Sequence, residues 1–258
     1  MIASIHIADT GALAGARLLR SQPNAKTAPG LRYAALMLTS SLGGRGLPRP
    51  SAARIALFAA WDSERALTAF ESSDPLAAKL SRNGWRAKLQ ATHVYGAWPE
   101  LDGLVGREPA MAEDEPAAVL TLGRLRHSQA VRFLKAGAAA ERLAVGDPAL
   151  VRGIGMSRPP GLVATFSLWS STAAMRDYAS GRAGAEHRDA VSAHARRPFH
   201  HQSAFLRFRP YASEGLWDGI DPLLAQATSA TRDASATSDA TETSDASSAP
   251  GASAAATG

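Results

Sequence analysis

The feature that most constrains this chain is an internal duplication. RIALFAAWDSERALTAF (54–70) and LVATFSLWSSTAAMRDY (162–178) follow one plan. Each has a run of β-forming residues ending in Trp, then a Ser-containing polar segment, then a helical stretch. In both, an aromatic stands nine residues past the Trp: Phe70 after Trp61 and Tyr178 after Trp169.

The match extends in both directions. MIASIHIA (1–8) corresponds to AAVLTLGRL (117–125), both short strands. LLRSQPNAKTAPGLRYAALML and VRFLKAGAAAERLAVGDPALVRGIGM each read as a helical segment, a turn with Pro or Gly, and a second strand. TSSLGGRGLPRPS (39–51) marks a loop in the first copy only, while KLQATHVYGAW and FHHQSAFLRF supply fourth strands. Each half therefore reads βαββαβ, the order of the ferredoxin-like split-βαβ module, whose helices cover one sheet face and leave the other bare. Two tandem copies bury their bare faces against each other. The expected fold is α+β: tandem ferredoxin-like repeats forming a pseudo-dimeric α+β barrel, with sheets inside and helices outside. The expected divisions are 1–105 and 117–225 for the two repeats, 106–116 for a linker that holds MAEDEP, and 226–258 for a tail.

Composition narrows the chemistry. With no cysteine in 258 residues, disulfides, zinc–thiolate sites, Cys-ligated clusters and a thiolate-ligated haem are excluded, so any metal or haem would need His or carboxylate ligands. The net charge is +5, yet the arginines are scattered without a basic run, and neither RNP-type strands nor zinc-finger spacing occurs, so no nucleic-acid partner is expected. The N-terminus lacks a charged segment followed by a long apolar run, and no stretch approaches a membrane-spanning length, which gives a cytoplasmic expectation. SSLGGRGLPRP precedes no helical pattern, so it supports neither a P-loop nor a dinucleotide fingerprint, and HExxH and GxSxG are absent.

Among the histidines, His187 and His194 have the most informative setting. On a helix expected over about 185–197, ended by Pro198, they share a face with Ala190 and Val191. Two readings stand: partly buried, hydrogen-bonded histidines at a helix–sheet contact, or a ligand to haem or another metal, with His187 as the metal ligand and His194 in reserve. The residue 18 positions past Trp61 is Lys79, whereas 18 past Trp169 is His187, so the imidazole is present in one copy only. His200 and His201, adjacent on a strand, point to opposite faces. Arg124, Arg126 and Arg152 lie in or beside strands of the second half, where a guanidinium meets a propionate, an oxygen-derived ligand or a carboxylate, or else projects from a sheet edge. Arg152 and Arg124 are the catalytic candidates.

PGLRYAALMLTSS, ALFAAWDSERALTAF, TFSLWSSTAAMRDYA, the AEHRDAV segment and FLRFRPYASEGLWDGIDPL together resemble the spheroidene monooxygenase family of carotenoid-modifying enzymes. The likeness covers about residues 1–225 and is most specific over 162–224. It implies a monooxygenase that hydroxylates the methyl-branched end of an acyclic carotenoid and oxidises it on to a ketone. It further implies haem, molecular oxygen and a ferredoxin-type electron donor, and an apolar substrate suggests peripheral membrane association. Side chains alone cannot activate oxygen at such a C–H bond, which agrees with a cofactor. The competing reading is a non-catalytic or haem-binding barrel protein that takes up an apolar ligand.

The segment from about 227 contains only Ala, Thr, Ser, Asp, Glu, Gly, Pro and one Arg, a composition that cannot bury enough apolar surface to offset its ordering entropy. A chain ending at Leu224 is expected to keep its melting temperature within about 1–2 °C of the full chain. A clear loss in a calorimetric scan would show that the tail contributes to the core.

Overall fold

The structure, a computed structural model, describes residues 1–44, 48–106, 110–180 and 198–226. The helix expected over about 185–197, with His187 and His194, and the tail from 227 lie outside the described residues. The chain divides into two compact units, Met1–Leu223 and Leu224–Gly258, and only residues 224–226 of the second are described.

Alternation along the strands sets the architecture. In β1 (Ile2–Asp9), Ala3, Ile5 and Ile7 enter one apolar cluster while Ile2 and Ala8 enter another, so the strand is buried on both faces. It is followed by α1 (Ala12–Leu18), β2 (Leu31–Ser40), β3 (Ser51–Trp61), α2 (Glu64–Ser73), α3 (Pro75–Arg82) and β4 (Gly84–Gly96). The second half runs β5 (Ala117–Leu125), α4 (Ala130–Gly146), β6 (Leu150–Arg158), β7 (Leu162–Trp169), α5 (Thr172–Ser180) and β8 (His200–Gly215).

These eight strands close into one antiparallel barrel in the order β1-β3-β2-β6-β7-β5-β8-β4. Within it, β4-β1-β3-β2 and β8-β5-β7-β6 repeat the same order. The two sheets do not simply stack. Each half's outer strands pair with the other half's, through a long seam, β4 with β8 from Trp85↔Gly215 to Gly96↔Ala204, and a short one, β2 with β6 at Leu38↔Ser157, Thr39↔Met156 and Ser40↔Gly155. Along the rest of the short seam side chains stand in for strand pairing: Arg158 donates to the Leu36 carbonyl at 2.9 Å, and the Leu36 N–H donates to Gln22 Oε1 at 3.1 Å.

The two tryptophans of the duplicated segment occupy matching places. Trp61 pairs with Ile2 at the start of β1, and Trp169 with Ala117 at the start of β5. Each ring packs against the aromatic nine residues on, Phe70 at 5.0 Å and Tyr178 at 4.7 Å between centroids. Each indole N–H donates to a serine, Ser4 or Ser167, at 3.0 Å. Ser63 and Ser171 then accept from the backbone of Ala66 and Ala174, capping the helices that carry those aromatics.

Both ends of the barrel are closed by a second pair of tryptophans. β4 ends at Gly96 and β8 at Gly215, with φ of 88° and 87°, and two residues later Trp98 and Trp217 turn inward and are buried at 1% and 3% exposure. The backbone N–H groups of Ala97 and Leu216 donate to Ser203 and Gly84 carbonyls, each at 3.1 Å. A Cβ at either glycine would collide with the same carbonyls, so Gly-x-Trp is required by close approach as well as by φ. Trp98 lies 6.0 Å from Tyr33; Trp217 lies 5.5 Å from Trp85 and 6.3 Å from Phe166. Asp218 and Gly219, both with positive φ, form a type I′ turn that returns the chain, and Asp221 then accepts from Trp85 Nε1 (3.2 Å) and Ser213 Oγ (2.7 Å). Between the two indoles the interior is packed with Phe58, Phe166, Phe208, Met37 and Leu89, all fully buried.

Replacing Trp217 by Ala should destabilise the protein by about 3–5 kcal/mol, the range for deleting a buried aromatic. Leu216→Ala, at a side chain 58% exposed, should change stability by no more than about 0.5 kcal/mol. Urea unfolding of both variants checks the pair, and equal effects would contradict the account of Trp217 as the closure.

Candidate functional site

With the interior filled, the faces available for chemistry are the outer ones beneath the helices. The two halves differ there. Over the first half, α1, α2 and α3 bury Leu18, Leu67, Phe70, Leu76, Ala77 and Leu80 against Leu36, Ile55, Leu57 and Trp61, which seals that face. Over the second half, the buried outer-face cluster among the described residues is Ala117, Val119, Trp169 and Met175. None of the described side chains of α4 is buried, although it is the longest helix among the described residues.

Strand register shows how the second face was opened. At one level of the first half, His6 lies opposite Leu57, and Leu57 opposite Leu36, all fully or nearly fully buried. The matching level of the second half reads Thr121, Thr165 and Gly155. Two leucines and an imidazole are thus exchanged for two threonines and a glycine, leaving Thr121 exposed and Thr165 half-buried. The result is a recess floored by Thr121 and Thr165. Its first wall is Leu42, which reaches across from the first half and would meet a Cβ on Gly153 at 2.8 Å, while Ser40 Oγ stands where a Cβ on Gly155 would be. The opposite wall is Phe205, paired with Thr121 and 6.2 Å from Tyr95, which in turn stacks on His93. One end is formed by His200, whose ring lies over Gly123 so closely that a Cβ there would meet it at 2.6 Å from Nε2, backed by Phe133 of α4 at 4.8 Å. His201 is exposed.

Arg124 and Arg152 lie away from this recess. Arg124 shares the inward face of β5 with Leu120 and Leu122, donates to Glu100 at 2.8 Å and sits 4.8 Å over the Trp98 ring. Arg152 shares the inward face of β6 with Ile154 and Met156, donates to the Val151 carbonyl at 2.9 Å, and stands opposite Leu168 toward the other end of the barrel. Opposite Leu168 on β5 is Ala118, six residues from Arg124, so the two arginines leave the sheet at levels roughly 20 Å apart along the strand direction. The arginine that faces outward beside the recess is Arg207, opposite Val119. Among the described residues no three His, Asp or Glu converge as metal ligands. A residue-by-residue overlay of the two Trp-anchored segments, Leu57 against Thr165, was the signal that could have located the recess in the sequence.

No protein-family model matches the chain. The spheroidene monooxygenase of Rubrivivax gelatinosus is 38% identical over 194 residues, 74% of this chain and 73% of the relative. That of Cereibacter sphaeroides is 26% identical over 202 residues, 77% of this chain and 62% of the relative. Among solved structures, an aldoxime dehydratase is similar with a TM-score of 0.49 at 9% identity, covering 86% of each chain, and a putative monooxygenase from Lactobacillus acidophilus with 0.36 at 8% identity, covering 83% and 95%. The sequence relatives place the protein among the monooxygenases. It belongs to the spheroidene monooxygenase family.

The sealed first half makes its own prediction. His6 is fully buried, and burial, aided by nearby Arg86, pushes its pKa down to about 3. It therefore folds neutral, whereas in the unfolded chain it protonates near 6.5. Between these values the unfolded state binds the extra proton, so this contribution is complete above pH 6.5 and is lost as pH falls toward 3, by up to about 1.4 kcal/mol per pH unit. The urea midpoint of the wild type should fall between pH 6.5 and 5, and that of His6→Leu should fall less; equal slopes would contradict it.

Proposed function

We propose that the protein oxygenates the methyl-branched end of an acyclic carotenoid at the recess on the outer face of the second half. The observation that carries this reading is the exchange of His6, Leu57 and Leu36 for Thr121, Thr165 and Gly155 at one level of otherwise matching sheets. A packed interior offers a long polyene no entry, whereas the recess presents the exposed Thr121 between aromatic and aliphatic side chains. We also infer that the halves are duplicated ferredoxin-like units, which their common strand order and the matched Trp61 and Trp169 support.

The donor set suits haem. A floor of small side chains with apolar walls accepts a flat apolar group, and Arg207, with a buried Nε that lacks an acceptor among the described residues, borders it. When bound, haem would supply the oxygen activation that side chains lack. His187 is the proposed iron ligand and His194 the reserve, on their helical phase and on the likeness of that segment to the family. The remaining chain residues bind and orient: Phe205 and Tyr95 line the approach, and Leu42 covers the far side. Two electrons from a ferredoxin-type donor and two protons balance insertion of one oxygen atom and release of the other as water. No helix among the described residues is long and apolar enough to cross a membrane. Loading of a membrane-soluble substrate is assigned to peripheral contact, for which the exposed Leu13 and Leu216 are available.

Co-expression with enzymes that make an acyclic carotenoid tests the reading by pigment analysis. The wild type should add oxygen to the pigment and, purified and reconstituted with haem, retain a Soret band through desalting. His187→Ala should lose both while its circular dichroism melt stays unchanged. Loss in His194→Ala alone would move the ligand to His194. No oxygenated pigment from the wild type would refute the activity, and Soret bands unaffected by either substitution would refute this ligand assignment.

A further inference from the structure

Arg207 is a cation whose counter-charge has been removed. In the first half, β4 places Lys88 opposite Ser4 of β1, and Lys88 Nζ pairs with Glu64 at the start of α2 at 2.7 Å. Ser4 stands two positions into its half from the Trp61 pairing, as Val119 does from the Trp169 pairing. The residue opposite Val119 is Arg207, so Arg207 holds the place of Lys88. The place of Glu64, three residues past the Trp, is taken by Thr172, which instead donates to the Glu115 carbonyl at 3.1 Å. A further turn along α5, Arg176 stands where α2 has Thr68, and its charge acts on Arg207.

The acid is gone and a second cation has been added. Glu113 and Glu115, the nearby carboxylates, are engaged by Arg176 at 3.0 Å and by Arg209 at 2.9 Å. Arg207 has no ion pair among the described residues, and its Nε is buried without a hydrogen-bond acceptor. Burial lowers its pKa; the nearby Tyr95 works against that and Arg176 adds to it. Leaving a guanidinium N–H buried and unmatched is unfavourable unless something else supplies the acceptor. The surroundings define that partner: Tyr95 and Phe205 wall the site on the side facing the recess, so the acceptor belongs to an anion carried on an apolar or aromatic body.

We propose that Arg207, assisted by Arg176, binds a carboxylate of the group held in the recess, namely a propionate of a tetrapyrrole. The inference rests on the haem reading above. It assigns the acidic edge of the group to the α5 side of the recess and the apolar remainder to Thr121, Thr165 and Phe205. Guanidinium is suited to this because it forms two parallel, charge-assisted bonds to a carboxylate.

Titration of the full-length protein with hemin and with hemin dimethyl ester, followed at the Soret band, separates the possibilities. The ester keeps the ring and the iron but loses both negative charges. The wild type should bind hemin roughly tenfold more tightly than the ester. Arg207→Leu should erase that preference by weakening hemin alone, Arg207→Lys should restore part of it, and both variants should melt as the wild type does. A wild type without preference, or an Arg207→Leu protein that keeps it, would overturn the proposal while leaving the haem reading in place. Binding of neither compound would overturn the haem reading and this inference with it.

Discussion

Pairing between the halves is the constraint from which the remaining structure follows. Alone, either half would expose two strand edges and one bare sheet face. The long β4–β8 seam and the three-residue β2–β6 seam join the edges, and the same closure turns the bare faces into the barrel interior. Once closed, the barrel still needs lids, and Trp98 and Trp217, each two residues past a glycine that ends a fourth strand, supply them. A filled and capped interior leaves only the outer faces for a ligand.

On those outer faces the duplicated halves have diverged along physical lines. The first retains large apolar side chains, three helices that bury theirs, and matched charges such as Lys88 with Glu64. The second has smaller side chains at the same level, a long helix that buries none of its described side chains, and Arg207 without an acid. Close packing makes the difference local to that level of the sheet, where each leucine lost from a packed face costs about 2–5 kcal/mol.

Much of the fold was legible because Trp61 and Trp169 bring their aromatic partners and serine caps with them, a pattern long enough to survive drift. The Gly-x-Trp lids were not read from the sequence, since three residues in YGAWPEL and EGLWDGI carry little signal until both prove to leave a strand at positive φ. The barrel was expected, but not the strand pairing at its two seams, because it joins residues more than a hundred apart and leaves no periodic trace. The arginines singled out from strand position alone, Arg124 and Arg152, take the inward face at opposite ends, for strand phase is set by pairing partners rather than by composition. Arg207 carries no signal of its own in the sequence, because its peculiarity is an absence, the missing counterpart of Glu64. His187 and His194 rest on helical phase and family likeness, in a segment outside the described residues.

The central claim is that the reaction centre lies on the outside of the second half and not within the barrel. Crystals grown with hemin, with iron located by its anomalous scattering, test it directly. The iron should appear over the outer face of β5 and β7, above Thr121 and Thr165. Iron inside the barrel between Trp98 and Trp217, or over the sealed face around His6 and Leu57, would contradict the account.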